Sequence, residues 1–179
     1  MSLTAKKISF GLLGLLAAAS AIWLDYYLPE KQITTITGVE VKRVDKDGPI
    51  GKENPADGPT MDVYYIYTAK SDDQVRVFRN EDTRWSWPFY FKFNSADIQA
   101  KAKTLEFDKK LARITSYGWR INMFSQFPNV TRIEMVDNVD ASTFSFFRWF
   151  WFAIWAAGFG YLTWQLHQLF ERRALQHGD

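Results

Sequence analysis

The chain contains no cysteine, and both of its histidines, His167 and His177, lie near its C-terminal end. Without cysteine there is no disulfide framework, thiolate nucleophile or thiolate metal site. The central part also lacks histidine, the commonest general base and metal ligand in proteins. Phosphate-binding glycine loops and the serine patterns of hydrolases are absent as well. The sequence therefore predicts a protein that is not an enzyme and carries no metal or other cofactor.

An excess of charge of either sign is missing too. The net charge is +2, and residues 30–145 contain 17 Lys or Arg and 17 Asp or Glu. Nucleic-acid binding depends on basic side chains that neutralise phosphates. The neutral central part is therefore not expected to bind nucleic acid, and no pattern in it indicates a small-molecule substrate.

Long apolar runs, by contrast, are present at both ends of the chain. Residues 144–164 carry a single charge, Arg148. A helix of that length spans about 30 Å, the thickness of the hydrocarbon core of a bilayer. Near the N-terminus, an uncharged run over residues 8–24 follows Lys6 and Lys7. We expect both runs to form transmembrane helices.

The N-terminal run has a competing interpretation, a cleaved signal peptide. Ala19, Ser20 and Ala21 fit the small-residue pattern of a cleavage site. The apolar run continues past that site to Leu24. Because a signal peptide ends its apolar region before the cleavage site, we expect a retained helix.

Basic residues predict the orientation of the two helices. Lys6 and Lys7 precede the first helix, and Arg172 and Arg173 follow the second. Because such residues favour the cytoplasmic side, both termini are expected in the cytoplasm and the central domain in the periplasm of a bacterial inner membrane. Seven side chains are expected to anchor the helices at the membrane interfaces: Trp23, Tyr26, Tyr27, Arg148, Trp149, Trp151 and Trp164.

Four parts follow from these patterns. Residues 1–28 form an N-terminal transmembrane helix and residues 29–143 a β-rich periplasmic domain. Residues 144–170 form a C-terminal transmembrane helix, and residues 171–179 a cytoplasmic tail. The predicted fold class is thus a membrane α + β protein, with two transmembrane helices flanking a small β domain.

Within the central domain, alternating or β-branched segments predict five strands, at 33–44, 61–69, 74–79, 112–117 and 130–136. A polar turn at 70–73 separates the second and third strands. Ser95 is placed to cap a short helix that runs to about Leu105. Three strands, a helix and two strands is the order of the OB-fold, a five-stranded Greek-key barrel with one short helix. Other small α+β sheets share this order, so the β domain is OB-like by element order alone.

Residues 84–94, RWSWPFYFKFN, are dense in aromatic rings. In one interpretation, alternate rings fill the barrel and the others cover its surface. In another, Trp85, Trp87 and Phe89 form a patch that enters lipid headgroups or docks on another membrane protein. A stacking platform for single-stranded nucleic acid is disfavoured by the neutral charge. Further along the chain, Trp119 is expected to pack in the core.

Small residues four apart recur in both predicted membrane helices. The pairs are Gly14 with Ala18, Ala17 with Ala21, Ala153 with Ala157, and Ala156 with Gly160. Such spacing lets helix backbones approach closely in lipid. The stripe in the second helix is expected to pack either on the first helix or on a partner, unless it is background composition.

Four segments resemble a catalogued family of proteobacterial and phage membrane proteins, the domain of unknown function 1523 family. They read LDYYLPEKQITTITGVEVKRVD, TRWSWPFYFKFNSADIQAKA, YGWRINMFSQFPNV and FFRWFWFAIW. The resemblance covers most of the chain. It implies a double-anchored envelope protein and brings no catalytic residue with it.

These patterns favour a non-catalytic accessory or assembly subunit of a larger integral inner-membrane protein complex, embedded in the lipid bilayer. The alternative is a stand-alone envelope module that binds a ligand or peptide, in stress sensing or phage exclusion.

Overall fold

The computed structural model of the chain describes residues 3–45, 48–70 and 74–176. His177 and most of the predicted turn at 70–73 lie outside these ranges. The chain divides into two compact units. The helical unit contains α1 (Leu3–Tyr27) and α3 (Phe146–Gln176), and the β domain is Pro29–Ser145.

Helices α1 and α3 lie antiparallel in the helical unit. The Trp155 indole donates a hydrogen bond to Ser20 Oγ at 2.9 Å. Further along α1 and earlier in α3, the Arg148 guanidinium pairs with the Asp25 carboxylate. Polar contacts of this kind fix the register of two packed helices.

One helix within the described residues is long and apolar enough to cross a membrane. It is Thr4–Tyr27, with a mean hydropathy of 1.7 in its most apolar stretch, none of which is buried. The predicted second membrane segment is also a helix, but α3 is less apolar on average than α1. α3 contains Arg148 and a polar C-terminal part that includes Glu171, Arg172 and Arg173, and these side chains lower its average.

The β domain is a mixed sheet with one long helix against it. Its elements are β1 (Glu30–Asp45), β2 (Gly48–Pro49), β3 (Met61–Ala69), β4 (Val75–Asn80), α2 (Ser95–Phe107), β5 (Leu111–Tyr117), a 3₁₀ turn (Asn122–Phe124) and β6 (Asn129–Met135). The five longer strands and α2 correspond to the predicted ones. The two-residue β2 pairs antiparallel with the end of β1 and was not predicted.

The five longer strands pair in a closed sequence. β1 pairs with β3, and β3 with β4. β4 meets β6 in parallel where Arg79 lies opposite Asn129, and β6 pairs with β5. The first half of β1, Glu30–Thr35, then pairs with β5. β1 serves two neighbours because it is 16 residues long and its pairing with β3 shifts between Ile36 and Gly38.

The core lies between the strands and one face of α2. Ile36, Ile66, Phe78 and Ile114 from the strands are almost completely buried, and α2 adds Ile98, Ala102 and Leu105. Burial of these apolar side chains is the main force that holds α2 on the sheet.

The prediction that Trp119 packs in the core is wrong. Its side chain is 37% exposed, whereas that of Phe78 is completely buried. Gly118 adopts a φ of 90° directly after β5, so the chain turns away from the sheet before it reaches Trp119.

Candidate functional site

Five large rings are exposed on one irregular segment of the β domain, between β4 and α2. We call residues 83–93 the aromatic loop. The exposed rings belong to Trp85, Trp87, Phe89, Phe91 and Phe93, and Trp85 is exposed over 75% of its surface. None of these rings is buried in the core of the β domain, so the interpretation that alternate rings fill its interior is wrong. A surface of this kind usually marks an interaction site.

The rings lie against one another. Trp85 packs edge-on against Phe91 and Phe93, with centroids 5.5 and 5.3 Å apart, and Trp87 packs edge-on against Phe89 at 5.2 Å. Such pairs are more favourable than their buried area alone implies. Phe89 and Phe91 also adopt left-handed backbone conformations, with φ of 58° and 49°, which large side chains rarely do. The contacts between the rings favour their outward display, whereas the two left-handed backbone conformations are a cost that the loop must offset.

Hydrogen bonds close the base of the aromatic loop. The Arg84 amide donates to the Lys92 carbonyl oxygen at 3.0 Å, and the Lys92 amide donates to Thr83 Oγ1 at 3.2 Å. The two ends of the loop are therefore joined directly, and the rings project from a closed base.

A buried lysine lies under the loop. Lys92 is only 4% exposed, and its ammonium donates to Asn80 Oδ1 at 2.5 Å and to the Glu81 carbonyl oxygen at 3.1 Å. Burial lowers the pKa of Lys92 to about 8, while the negative charges of Asp82 and Glu81 act in the opposite direction. These hydrogen bonds connect the loop to the end of β4, although burying the charged ammonium costs free energy of desolvation.

The start of α2 is fixed by an acid from the other side of the loop. Asp82 accepts hydrogen bonds from the Ser95 amide at 2.8 Å and the Ser95 hydroxyl at 3.0 Å. The prediction that Ser95 itself caps α2 is therefore wrong, because Ser95 is the first helical residue and Asp82 supplies the capping oxygens.

A second apolar loop adjoins the first. Residues 118–128, the Phe124 loop, carry the exposed side chains of Met123 and Phe124. The aromatic loop reaches the base of the Phe124 loop, where Tyr90 stacks on Tyr117, the last residue of β5, with 4.8 Å between centroids. Within the Phe124 loop, the Arg120 guanidinium lies 4.0 Å from the centroid of the Phe127 ring.

Asn129 joins the bases of both loops. Its amide nitrogen donates to the Glu81 carbonyl oxygen and to the Tyr117 hydroxyl, each at 3.1 Å. Its Oδ1 accepts from the Glu81 amide at 2.9 Å. Sequence reasoning missed this residue, since its partners are 12 and 48 residues away.

A separate cleft of about 690 Å³ lies elsewhere in the β domain, among β1, β3, β4 and β5. Thr34 and Thr68 contribute buried hydroxyl groups to its wall. At its rim Arg76 donates to Gln32 Oε1 at 2.7 Å. None of the side chains predicted to form a site lines this cleft.

The predicted anchor residues of the helical unit fall into two groups. Rings at the end of α1 pack together, with Tyr27 within 5.1 Å of Trp23 and 4.7 Å of Tyr26. In α3 three tryptophans are exposed: Trp149, Trp151 and Trp164. Arg148 is not extended towards solvent, because it pairs with Asp25 and donates to the Leu28 carbonyl oxygen at 3.0 Å.

The small-residue stripe of α3 does not face α1. Ala153, Ala156, Ala157 and Gly160 are all exposed. A Cβ atom added to Gly160 or to Gly14 of α1 meets no atom within 4 Å. The interpretation that this stripe packs on the first helix is therefore wrong, and the face remains uncovered within the described residues.

The chain thus combines an apolar N-terminal helix with a mixed β-sheet domain that displays two apolar loops. It belongs to the family described as "Protein of unknown function (DUF1523)", which matches residues 5–171. A relative from Haemophilus influenzae, described as an uncharacterized protein, is 53% identical over 126 residues, which is 70% of this chain and 72% of the relative. No solved structure matches the chain.

Proposed function

We propose that this protein is a two-helix protein of the bacterial inner membrane, with both termini in the cytoplasm and the β domain in the periplasm. The apolar α1 and its antiparallel pairing with α3 support two spanning segments. The basic residues Lys6, Lys7, Arg172 and Arg173 support the orientation. In this arrangement the exposed rings of α3 lie in lipid or at its interfaces.

We further propose that the β domain is an OB-like barrel. The pairing sequence returns to β1 after β3, β4, β6 and β5, and the single helix lies between the third and fourth long strands. A closed five-stranded ring with a parallel contact between its third and fifth long strands agrees with a Greek-key barrel.

The function we propose is that of a non-catalytic accessory or assembly subunit of a larger integral membrane complex. The observation that carries this proposal is the uncovered face of α3 formed by Ala153, Ala156, Ala157 and Gly160, at which a neighbouring helix can approach closely. The aromatic loop, whose five exposed rings sit on a hydrogen-bonded base, is a second exposed apolar surface.

Native gel electrophoresis after gentle solubilisation tests the proposal. We expect the protein to migrate with a large complex, and Gly160→Leu to release it. Gly158→Leu is the matched control, because Gly158 also has open space at its Cβ but lies on a different side of α3. Migration of the native chain as a small species would reject the proposal.

A stand-alone binding module is the second candidate, and the 690 Å³ cleft favours it. Its volume is within the range of small-ligand pockets. In that case the chain runs as a small species on the native gel, and substitutions at Thr34 or Thr68 alter its thermal stability in the presence of periplasmic extract.

A further inference from the structure

We infer that the aromatic loop and the Phe124 loop together enter the headgroup region of the lipid bilayer, as a contact of the β domain in addition to the helices. The inference rests on the membrane anchorage proposed above, and it names the partner of the aromatic loop. It leaves the small-residue face of α3 for the protein complex.

The two loops lie close to the start of the β domain. β1 begins at Glu30, three residues after α1 ends at Tyr27. Glu30 lies opposite Ser116 of β5. The next residue, Tyr117, is the one on which Tyr90 of the aromatic loop stacks. The aromatic loop therefore reaches the base of the Phe124 loop beside the strand end that the chain enters from the N-terminal helix.

The end of the β domain lies near the same place. Lys31 Nζ donates to the Phe144 carbonyl oxygen at 3.1 Å. Arg113 Nη1 donates to the Ser142 carbonyl oxygen at 3.1 Å, and Arg113 itself lies opposite Ile33 of β1. The chain thus enters and leaves the β domain along one edge. If the helices span a bilayer, chain connectivity brings this edge to the bilayer surface.

The charges of the two loops favour lipid over a protein partner. The exposed charged side chains of the two loops, Arg84 and Arg120, are both basic, and neither residues 83–93 nor residues 118–128 contain an acidic residue. The β domain as a whole has equal numbers of acidic and basic residues, so this is a local bias. Exposed rings next to basic side chains fit anionic headgroups above an apolar layer.

At the opposite end of the long strands, the connection from β1 to β3 is polar. It includes Glu53 and Asp57 and has no aromatic ring between residues 50 and 60. This connection contains Gly58, at which an added Cβ meets no atom within 4 Å. Position 58 therefore serves as a reference within the same protein, and we expect it to lie in water.

Quenching by spin-labelled lipids tests the inference on the full chain. Because the protein has no cysteine, single substitutions give unique sites for a fluorophore. Ser86→Cys marks the tip of the aromatic loop and leaves every ring in place. Gly58→Cys marks the polar connection, and Leu15→Cys marks the exposed side of α1. Each labelled protein is placed in nanodiscs of zwitterionic lipid with added anionic phosphatidylglycerol and a lipid spin-labelled near its headgroup or, for position 15, near the end of its acyl chain.

We expect several-fold stronger quenching at position 86 than at position 58, increasing with the fraction of anionic lipid. In the Ser86→Cys background, Trp87→Ser combined with Phe89→Ser should reduce the quenching to the level at position 58. Phe107→Ser, which removes an exposed ring from the end of α2, should leave it unchanged.

Two results would overturn the inference in different ways. Equal quenching at positions 86 and 58, with strong quenching at position 15, shows that the helices are anchored but the loop stays in water. Absence of quenching at position 15 rejects the anchorage, and the lipid contact of the loop with it. Unchanged quenching after removal of the two rings would also reject a contact made through them.

Discussion

At the scale of single residues, Lys92 shows how the aromatic loop is held. Its ammonium satisfies two oxygens at the end of β4, Asn80 Oδ1 and the Glu81 carbonyl. It does so inside the protein, where a charge is poorly solvated. The same lysine therefore fastens the loop and makes the β domain sensitive to pH.

The pH dependence has a definite sign. Burial lowers the pKa of Lys92 from 10.5 in the unfolded chain to about 8. Between these values the unfolded state binds more protons, so the free energy of unfolding should rise with pH by at most about 3 kcal/mol. Denaturant unfolding of the native chain and of Lys92→Met, from below pH 8 to pH 10.5, measures this. The free energy of unfolding of Lys92→Met should not show this rise. The prediction is contradicted if the two proteins show the same dependence of unfolding free energy on pH.

A second prediction concerns the cap of α2. Asp82→Ala removes both hydrogen bonds to Ser95 and should lower the free energy of unfolding by about 1 kcal/mol, as the loss of a cap does. Asp97→Ala is the control, because Asp97 is an exposed acid in the first turn of the same helix. Equal losses of unfolding free energy in the two variants would contradict the prediction.

Large side chains supply a third prediction. Phe78→Ala should cost about 3–5 kcal/mol, because Phe78 is fully buried. Trp119→Ala should cost less than Phe78→Ala, since more than a third of the Trp119 surface is in solvent. Thermal unfolding followed by circular dichroism separates the two values. A larger loss for Trp119→Ala would place its ring in a packed environment.

At the scale of elements, local patterns predicted the long strands and α2 but not how they are joined. Alternation of apolar residues depends on near neighbours and is visible in the sequence. The aromatic loop depends on partners such as Asn129, which lies 48 residues from Glu81. The cap of α2 likewise comes from Asp82, 13 residues before Ser95. The position of Trp119 was mispredicted because ring size indicates burial, whereas a turn at Gly118 decides it.

Asn129 offers a test of how the two loops are coupled. Asn129→Ala removes the bonds to Glu81 and Tyr117, so the part-buried Glu81 amide loses its acceptor and the Glu81 carbonyl keeps only the bond from Lys92. We expect a loss of about 1–3 kcal/mol. Hydrogen exchange should increase in both loops together. Faster exchange in only one of them would show that Asn129 does not couple them.

At the scale of the whole molecule, the proposed topology predicts the outcome of reporter fusions. Alkaline phosphatase inserted at Gly51 should be active, since that site is assigned to the periplasm, and a fusion at the C-terminal end should be inactive. The reverse pattern would overturn the orientation. A mature protein that begins at Ile22 would instead support a cleaved signal peptide.

The hydrogen bond between Lys31 and the Phe144 carbonyl oxygen places the entry and exit of the β domain side by side. A domain with neighbouring ends is a cassette, since it can be inserted into a surface loop of an unrelated carrier without stretching the host chain. Residues 29–145 are thus a transferable module. Grafted between two other membrane helices, they would carry their apolar loops with them.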